Sequence, residues 1–263
     1  MKKPNFLIVG VQKAGTTYLS GKLRNHKEVF VSEPKEILFF QKNNLKNEDF
    51  DNYLTTYFST VGDEKYVNES SAIYLQWPNA LENIKKFLGT NIKIIICLRQ
   101  PTDRAVSFYL HNYKKGRFHG DESILKVGDD IRLSPVRSSF YSSHIEKCLK
   151  IFGEDNVSFQ LFDDLLDSPT EFVNQATRFL NIEALGSVSE KVVNKGFELF
   201  WHEGYLTLNE TITGKPTPKF SKKTLIELHE IFIEDIEKTS KLINRDLSHW
   251  NKLPTFTEKQ KKW

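Results

Sequence analysis

The sequence predicts an α/β fold, a P-loop-like three-layer sandwich in which helices flank a central, mostly parallel sheet. Three observations carry that expectation. An apolar stretch, FLIV (6–9), runs into a glycine-bent loop and then a helix. A near-continuous apolar run, IKIIICL (92–98), is what a parallel strand covered on both faces requires. Between and after them, strand and helix patterns alternate, as crossover units do.

Each element has its own reason. After FLIV, the loop GVQKAGTTYL (10–19) passes into a helix begun by Tyr18, Leu19 and Leu23. In EDFDNYLTTYFS (48–59), Phe50, Tyr53, Leu54, Tyr57 and Phe58 fall at i, i+3, i+4, i+7 and i+8, one apolar helix face. PNALENIKKFLG (78–89) starts on Pro78 and stops on Gly89. Beyond the buried run, RQPTDRAVSFYLHNY (99–113) opens with a turn and a proline and continues as a helix. VSFQL (157–161) is a further strand, and DSPTEFVNQATRFL (167–180) carries Ser168, Pro169 and Glu171 as a helix start. The organisation expected is one domain over residues 1–250 and a polar C-terminal tail over 251–263.

Composition narrows the partners. A chain of 263 residues with 39% hydrophobic and 27% charged residues is long enough for a large buried core, and 20 Phe give it bulk. No stretch approaches the roughly 20 apolar residues of a membrane span, and the N-terminal apolar run is too short for a signal peptide, so a cytoplasmic location is expected. Cys97 and Cys148 form no C-x-x-C pair, so neither disulfide nor metal is expected. A net charge of +3, with Lys and Arg spread along the chain, excludes a nucleic-acid surface but permits a local anion site.

That anion site is the loop. A Walker loop places its lysine directly after the second glycine. Here Gly10 and Gly15 keep the glycine spacing, Thr16 and Thr17 follow, and the lysine, Lys13, sits inside the turn. A helix N-terminus favours anions through its free N–H groups and its dipole. Arg99 follows a second strand end and Ser107 lies eight residues later in the next helix, so a second anion site is expected at the carboxyl edge of the same sheet. Two cationic sites suit a ligand with two separate anionic groups.

These residues resemble the sulfotransferases that use 3′-phosphoadenosine 5′-phosphosulfate (PAPS). GVQKAGTTYL looks like their 5′-phosphosulfate loop, and CLRQPTDRAVSFYLHNY (97–113) looks like their 3′-phosphate motif. EPKEILFF (33–40) resembles the K-E-x-x-F-F segment of the heparan sulfate and related Golgi-type members, in which the glutamate is the proposed base. LFDDLLDSPTEFVNQATRFLNI and LINRDLSHW extend the likeness over most of residues 5–250. The resemblance implies donor contacts from Lys13, Ala14, Gly15, Thr16, Thr17, Arg99 and Ser107, with Tyr141 and Lys215 as later nucleotide contacts. It also implies Glu36 as the general base and Lys13 on the bridging oxygen, where charge develops as the S–O bond breaks, without a metal. The expected reaction moves a sulfonate to a hydroxyl or amine of a carbohydrate, lipid or small metabolite.

Two positions depart from the heparan-type pattern. Leu38 stands where many members have histidine, and Ser70 follows Glu69 where they have lysine. Both face the acceptor or the sulfonate in the family, which argues against a highly anionic glycan acceptor. Taken singly, each residue has a plainer role: Arg99 as ion-pair partner of Asp103, Arg104 as another structural ion pair, Ser107 bonded to its own helix, Glu36 as a solvated loop carboxylate, Tyr141 and Lys215 on the surface, and His111 as packing. The rival functions are a P-loop kinase or nucleotidase, dependent on Mg²⁺ and ATP, and a nucleotide-binding protein without turnover.

Overall fold

The computed structural model describes residues 2–128, 130–186, 197–209 and 212–256. Numbered along the chain, the elements are β1 (Phe6–Gly10), α1 (Thr16–Leu23), β2 (Val29–Val31), α2 (Asn47–Phe58), β3 (Tyr66–Ser70), α3 (Ala80–Leu88) and β4 (Lys93–Leu98). Then follow α4 (Pro101–Lys114), α5 (Ser142–Phe152), β5 (Val157–Leu161), α6 (Phe162–Asp167) and α7 (Pro169–Phe179). The chain ends with β6 (Leu199–His202), β7 (Tyr205–Leu208), β8 (Lys219–Ser221), α8 (Lys222–Glu230) and α9 (Ile233–Leu242). It divides into two compact units, Met1–Leu98 with Glu146–Lys191, and Arg99–Ile145 with Val192–Trp263.

The first unit holds a five-stranded sheet in the order β2-β3-β1-β4-β5, with every pairing parallel. β1 is buried along its whole length and β4 along all but its first residue, which is why both read as unbroken apolar runs. The chain builds β2 and β3 on one side of β1 and β4 and β5 on the other. Its direction therefore reverses between β1 and β4, the place where open α/β sheets bind ligands beyond the carboxyl ends of their strands. β3 departs from the apolar rule: Asn68, Glu69 and Ser70 are all buried. The Asn68 amide donates to the Phe6 carbonyl at 3.3 Å and the Ser70 hydroxyl to Asn68 Oδ1 at 2.8 Å, so the strand satisfies much of its own polarity.

The expected helix starts are present. Pro101 opens α4 with the Gln100 side chain accepting the Asp103 N–H at 2.7 Å, and the Ser168 side chain caps α7 at Glu171 N–H. Gly89 ends α3 with φ 84°.

The second unit contains α4, the helices α8 and α9, and a three-stranded antiparallel sheet, β6-β7-β8, that the sequence pattern did not announce. α4 is its buried spine, with Tyr109 packed against Phe118 and edge-on to Phe220. His229 of α8 bridges the Thr102 hydroxyl and the Asn251 carbonyl, tying α4 to the turn that buries Trp250. Of the expected polar tail, residues 257–263 lie outside the described residues.

Candidate active site

The loop after β1 is shaped by three residues with positive φ: Gly10 at 148°, Lys13 at 71° and Gly15 at 89°. Gly10 has no room for a side chain, because a Cβ there would lie 2.8 Å from the Ala72 carbonyl oxygen. Left-handed residues inside a turn aim successive N–H groups toward one point, a concavity suited to an anion. Ala14 and Thr16 are buried and anchor the loop, while Lys13 and Thr17 stay partly exposed. α1 begins at Thr16 with no acidic residue in its first turn, so its positive end is not neutralised from within.

Glu36 is held against the same part of the sheet. Its N–H donates to the Ser70 carbonyl at 2.9 Å, its Oε2 accepts the Ala72 N–H at 3.0 Å, and Oε1 pairs with the Lys35 ammonium. Its side chain is 35% exposed. Glu36 and Leu38 both take left-handed φ, 63° and 62°, and the chain then dives into the core. Phe39 and Phe40 are buried, with Phe39 stacked on Tyr53 at 4.2 Å, and the Phe40 N–H donates to the Tyr74 hydroxyl at 3.2 Å. The phenylalanine pair thus anchors the loop that displays the carboxylate. Ala72 joins the two halves, its N–H on Glu36 and its carbonyl against Gly10. The turn around it is fastened to β1 by Ser71 N–H on Ile8 O (3.2 Å) and Leu75 N–H on Val9 O (2.9 Å).

Beneath Glu36 lies a carboxyl group that the sequence reading passed over. Glu69 is fully buried, and its Oε1 accepts the Ser71 hydroxyl at 2.5 Å. Its Oε2 meets no hydrogen-bond partner among the described residues. Burial pushes its pKa up to about 7, opposed by the nearby Ser71 and Tyr74 hydroxyls and reinforced by the charge of Glu36. The sequence signal was its match to the glutamate that precedes the lysine of the heparan-type pattern, to which no role was given.

The second unit carries the other expected residues. Arg99 is buried and its Nε donates to Asp103 Oδ2 at 2.8 Å, the ion pair weighed as its plainer role. Tyr141 is a buried strut rather than a surface residue: its hydroxyl donates to the Arg99 carbonyl at 2.8 Å and its N–H to Asp235 Oδ2 at 2.7 Å. Ser107 sits half-buried on α4, two turns beyond Arg99. Arg104 is fully buried and donates to the hydroxyls of Ser138 and Ser139, both at 2.8 Å. Burial lowers its pKa to about 10, so it stays charged at neutral pH. Lys215 is half-buried at the far end of α4, donating to the Phe118 carbonyl at 3.4 Å and lying over the Tyr113 ring. The structure thus gathers Arg99, Asp103, Ser107 and Tyr141 toward the first turns of α4 and leaves Lys215 apart from Arg99. His111 is half-buried on the same helix.

Among the described residues no group of three or more His, Cys, Asp or Glu is placed to hold a metal ion, and no helix is long and apolar enough to cross a membrane. The chain is similar to known proteins. The chain is 27% identical over 190 residues to the human heparan sulfate glucosamine 3-O-sulfotransferase 5, covering 68% of this chain and 54% of that protein. It is 25% identical over 268 residues to the Mus musculus bifunctional heparan sulfate N-deacetylase/N-sulfotransferase 3, covering 92% of this chain and 30% of that protein. The chain therefore spans under a third of the bifunctional relative and about half of the other. A sulfotransferase from Alicyclobacillus acidocaldarius shares the fold, with a TM-score of 0.76 at 24% identity, over 96% of this chain and 100% of that one. The model of the sulfotransferase domain matches residues 3–225, and on that match the chain belongs to the sulfotransferase family.

Proposed function

We propose that this chain transfers a sulfonate from PAPS to a hydroxyl or amine, with residues 1–250 as one sulfotransferase domain and 251–263 as a tail. The observation that carries the proposal is the shared residue Ala72: its N–H holds the Glu36 carboxylate and its carbonyl packs on Gly10, the first residue of the anion loop. A base and a phosphate cradle on one rigid turn are what an in-line group transfer needs. The loop fits a 5′-phosphosulfate, because Gly10 and the left-handed Lys13 and Gly15 open its N–H groups to an anion.

PAPS supplies an activated sulfonate on a phosphate leaving group. The N–H groups of Gly15, Thr16 and Thr17, with the buried Ala14 setting the turn, hold the 5′-phosphate. Lys13 neutralises the charge that appears on the bridging oxygen as the S–O bond breaks. Arg99 and Ser107 hold the 3′-phosphate, with Arg99 kept in place by Asp103 and by the Tyr141 hydroxyl on its carbonyl. Tyr141 thus serves the nucleotide through Arg99, and Lys215 enters as a nucleotide contact on the family resemblance. Glu36 takes the acceptor proton while the acceptor oxygen or nitrogen bonds to sulfur, and the S–O electron pair leaves with the nucleotide phosphate. The relatives named above are heparan sulfate enzymes, and a carbohydrate acceptor is the first to test; Leu38 and Ser70 favour one less anionic, with lipids and small metabolites next. A cytoplasmic location accords with two free, buried thiols, Cys97 and Cys148.

The test is incubation with ³⁵S-labelled PAPS and a panel of neutral glycans, glycosaminoglycans, lipids and small alcohols, followed by mass spectrometry. Label in an acceptor without added Mg²⁺ is expected. Transfer of phosphate from ATP with Mg²⁺, or nucleotide retention with no turnover, would replace the proposal by the kinase or the binding-module reading.

A further inference from the structure

Glu69 has no part in the chemistry above, yet its setting is unusual. A fully buried carboxyl with one oxygen unbonded is costly to the fold, and an apolar side chain would satisfy that place in β3 better. What Glu69 touches explains its presence. The Ser71 hydroxyl has one proton, and it is committed to Glu69 Oε1 at 2.5 Å. The same oxygen, Ser71 Oγ, then has its lone pair turned to the Leu38 N–H at 3.1 Å. Leu38 and Glu36 stand in the left-handed region that side chains disfavour, so this segment depends on external bonds to keep its shape. Two of those bonds arise from the residues beside Glu69: Ser70 O receives the Glu36 N–H, and Ser71 Oγ receives the Leu38 N–H.

The Glu69 carboxyl also feels the charges around it. The titratable groups whose interaction it feels are Glu36, Lys35, Tyr53 and Tyr74. Both tyrosines are held far up by burial and stay neutral, so the exchange is between Glu36 and Glu69, with Lys35 paired to Glu36. An ionised Glu69 has no proton of its own to offer Ser71 Oγ, so its ionisation secures the Ser71 proton on Glu69 and the Ser71 lone pair on the Leu38 N–H.

We infer that Glu69 is a positioning residue for Glu36, fixing the 36–38 segment through the Ser71 hydroxyl. The inference rests on Glu36 being the base, and it makes the transfer rate depend on the ionisation of a group that never meets the acceptor. Because the pKa of Glu69 lies at about 7, the rate rises with pH through neutrality.

The experiment is a carboxyl-carbon NMR titration of the full chain labelled with ¹³C-glutamate and saturated with 3′-phosphoadenosine 5′-phosphate, resonances being assigned with Glu36→Gln and Glu69→Gln. Glu69→Gln keeps an oxygen for the Ser71 hydroxyl and removes the charge. The Glu36 resonance should show an inflection near neutrality in the wild type and none in Glu69→Gln. No such inflection in the wild type, or its survival in Glu69→Gln, overturns the inference. On the acceptor found by the ³⁵S panel, Glu69→Gln should lose the rise of kcat across neutrality, with the donor KM little changed. Should Glu69→Gln fail to fold, Ser71→Ala decides: deuterium exchange at the Leu38 amide should rise by about tenfold, and unchanged exchange refutes the tie. A Glu36→Gln variant that transfers at the wild-type rate would defeat the base assignment, whatever the NMR coupling shows; an inactive Glu36→Gln with a wild-type pH profile in Glu69→Gln would defeat only this inference.

Discussion

Gly10→Ala is the sharpest perturbation of the site, because the structure fixes what the added methyl meets. The new Cβ would lie 2.8 Å from the Ala72 carbonyl oxygen, 3.4 Å from the Ala72 carbonyl carbon and 3.5 Å from Leu75 Cβ. Its nearest contact is backbone that cannot swing aside. Ala72 N–H is bonded to Glu36, and its neighbours Ser71 and Leu75 are bonded to β1. Forcing an alanine to φ 148° costs about 1–3 kcal/mol, and relieving the clash roughly 1–3 kcal/mol more. At about 2–4 °C per kcal/mol for a domain of this size, Tm should fall by roughly 4–24 °C in a calorimetric scan. Gly89→Ala is the matched control: φ is also positive, 84°, but nothing lies within 4 Å of the new Cβ, so only the conformational cost of about 1–2 kcal/mol remains. Because the displaced carbonyl belongs to the residue whose N–H holds Glu36, Gly10→Ala should also lose sulfonate transfer at temperatures where it is folded. Equal melting of the two variants, with full activity in Gly10→Ala, would refute the packing of the anion loop on the Ala72 turn.

Three further outcomes follow from the same geometry. Lys13→Ala should lower kcat by about 10²–10³ with a smaller change in donor KM, and added Mg²⁺ should not restore it; steady-state kinetics on the acceptor found by the panel check this. Arg99→Ala should abolish most of the calorimetric preference for 3′-phosphoadenosine 5′-phosphate over AMP, a preference of roughly 1.5–3 kcal/mol per charge-assisted bond. Glu69 links stability to pH. Its pKa is raised from 4.5 to about 7 in the fold, so its contribution is full below 4.5, where both states are protonated, and is lost as pH rises through 7. Between pH 5 and 8 the wild type should therefore lose on the order of 3 kcal/mol more stability than Glu69→Gln, measured by urea titration at each pH.

The sequence made legible what is local. The apolar run of β4, the Pro101 start of α4, the Ser168 cap of α7 and the Gly10–Gly15 loop each carry their signal within a few residues, and each stands where it was expected. β3 was missed because Asn68, Glu69 and Ser70 are polar yet buried, and their bonds go partly to β1, far away in sequence. The small sheet of β6, β7 and β8 was missed because its strands have three or four residues and leave Phe200, Trp201 and Tyr205 exposed. Glu36 was found by its neighbours Phe39 and Phe40, whereas its anchoring on Ala72, 36 residues away, is a tertiary fact. Tyr141 was expected as a nucleotide contact, with a surface position as its plainer role, and no local pattern reveals that its hydroxyl reaches the Arg99 carbonyl.

Glu36→Gln tests the central claim most directly, since it keeps the side-chain shape and an oxygen for the Ala72 N–H while removing the base. Single-turnover transfer of ³⁵S from PAPS should fall by roughly 10²–10⁴, while calorimetric affinity for 3′-phosphoadenosine 5′-phosphate stays near that of the wild type. Transfer at the wild-type rate would contradict the account and return Glu36 to the role of a loop carboxylate.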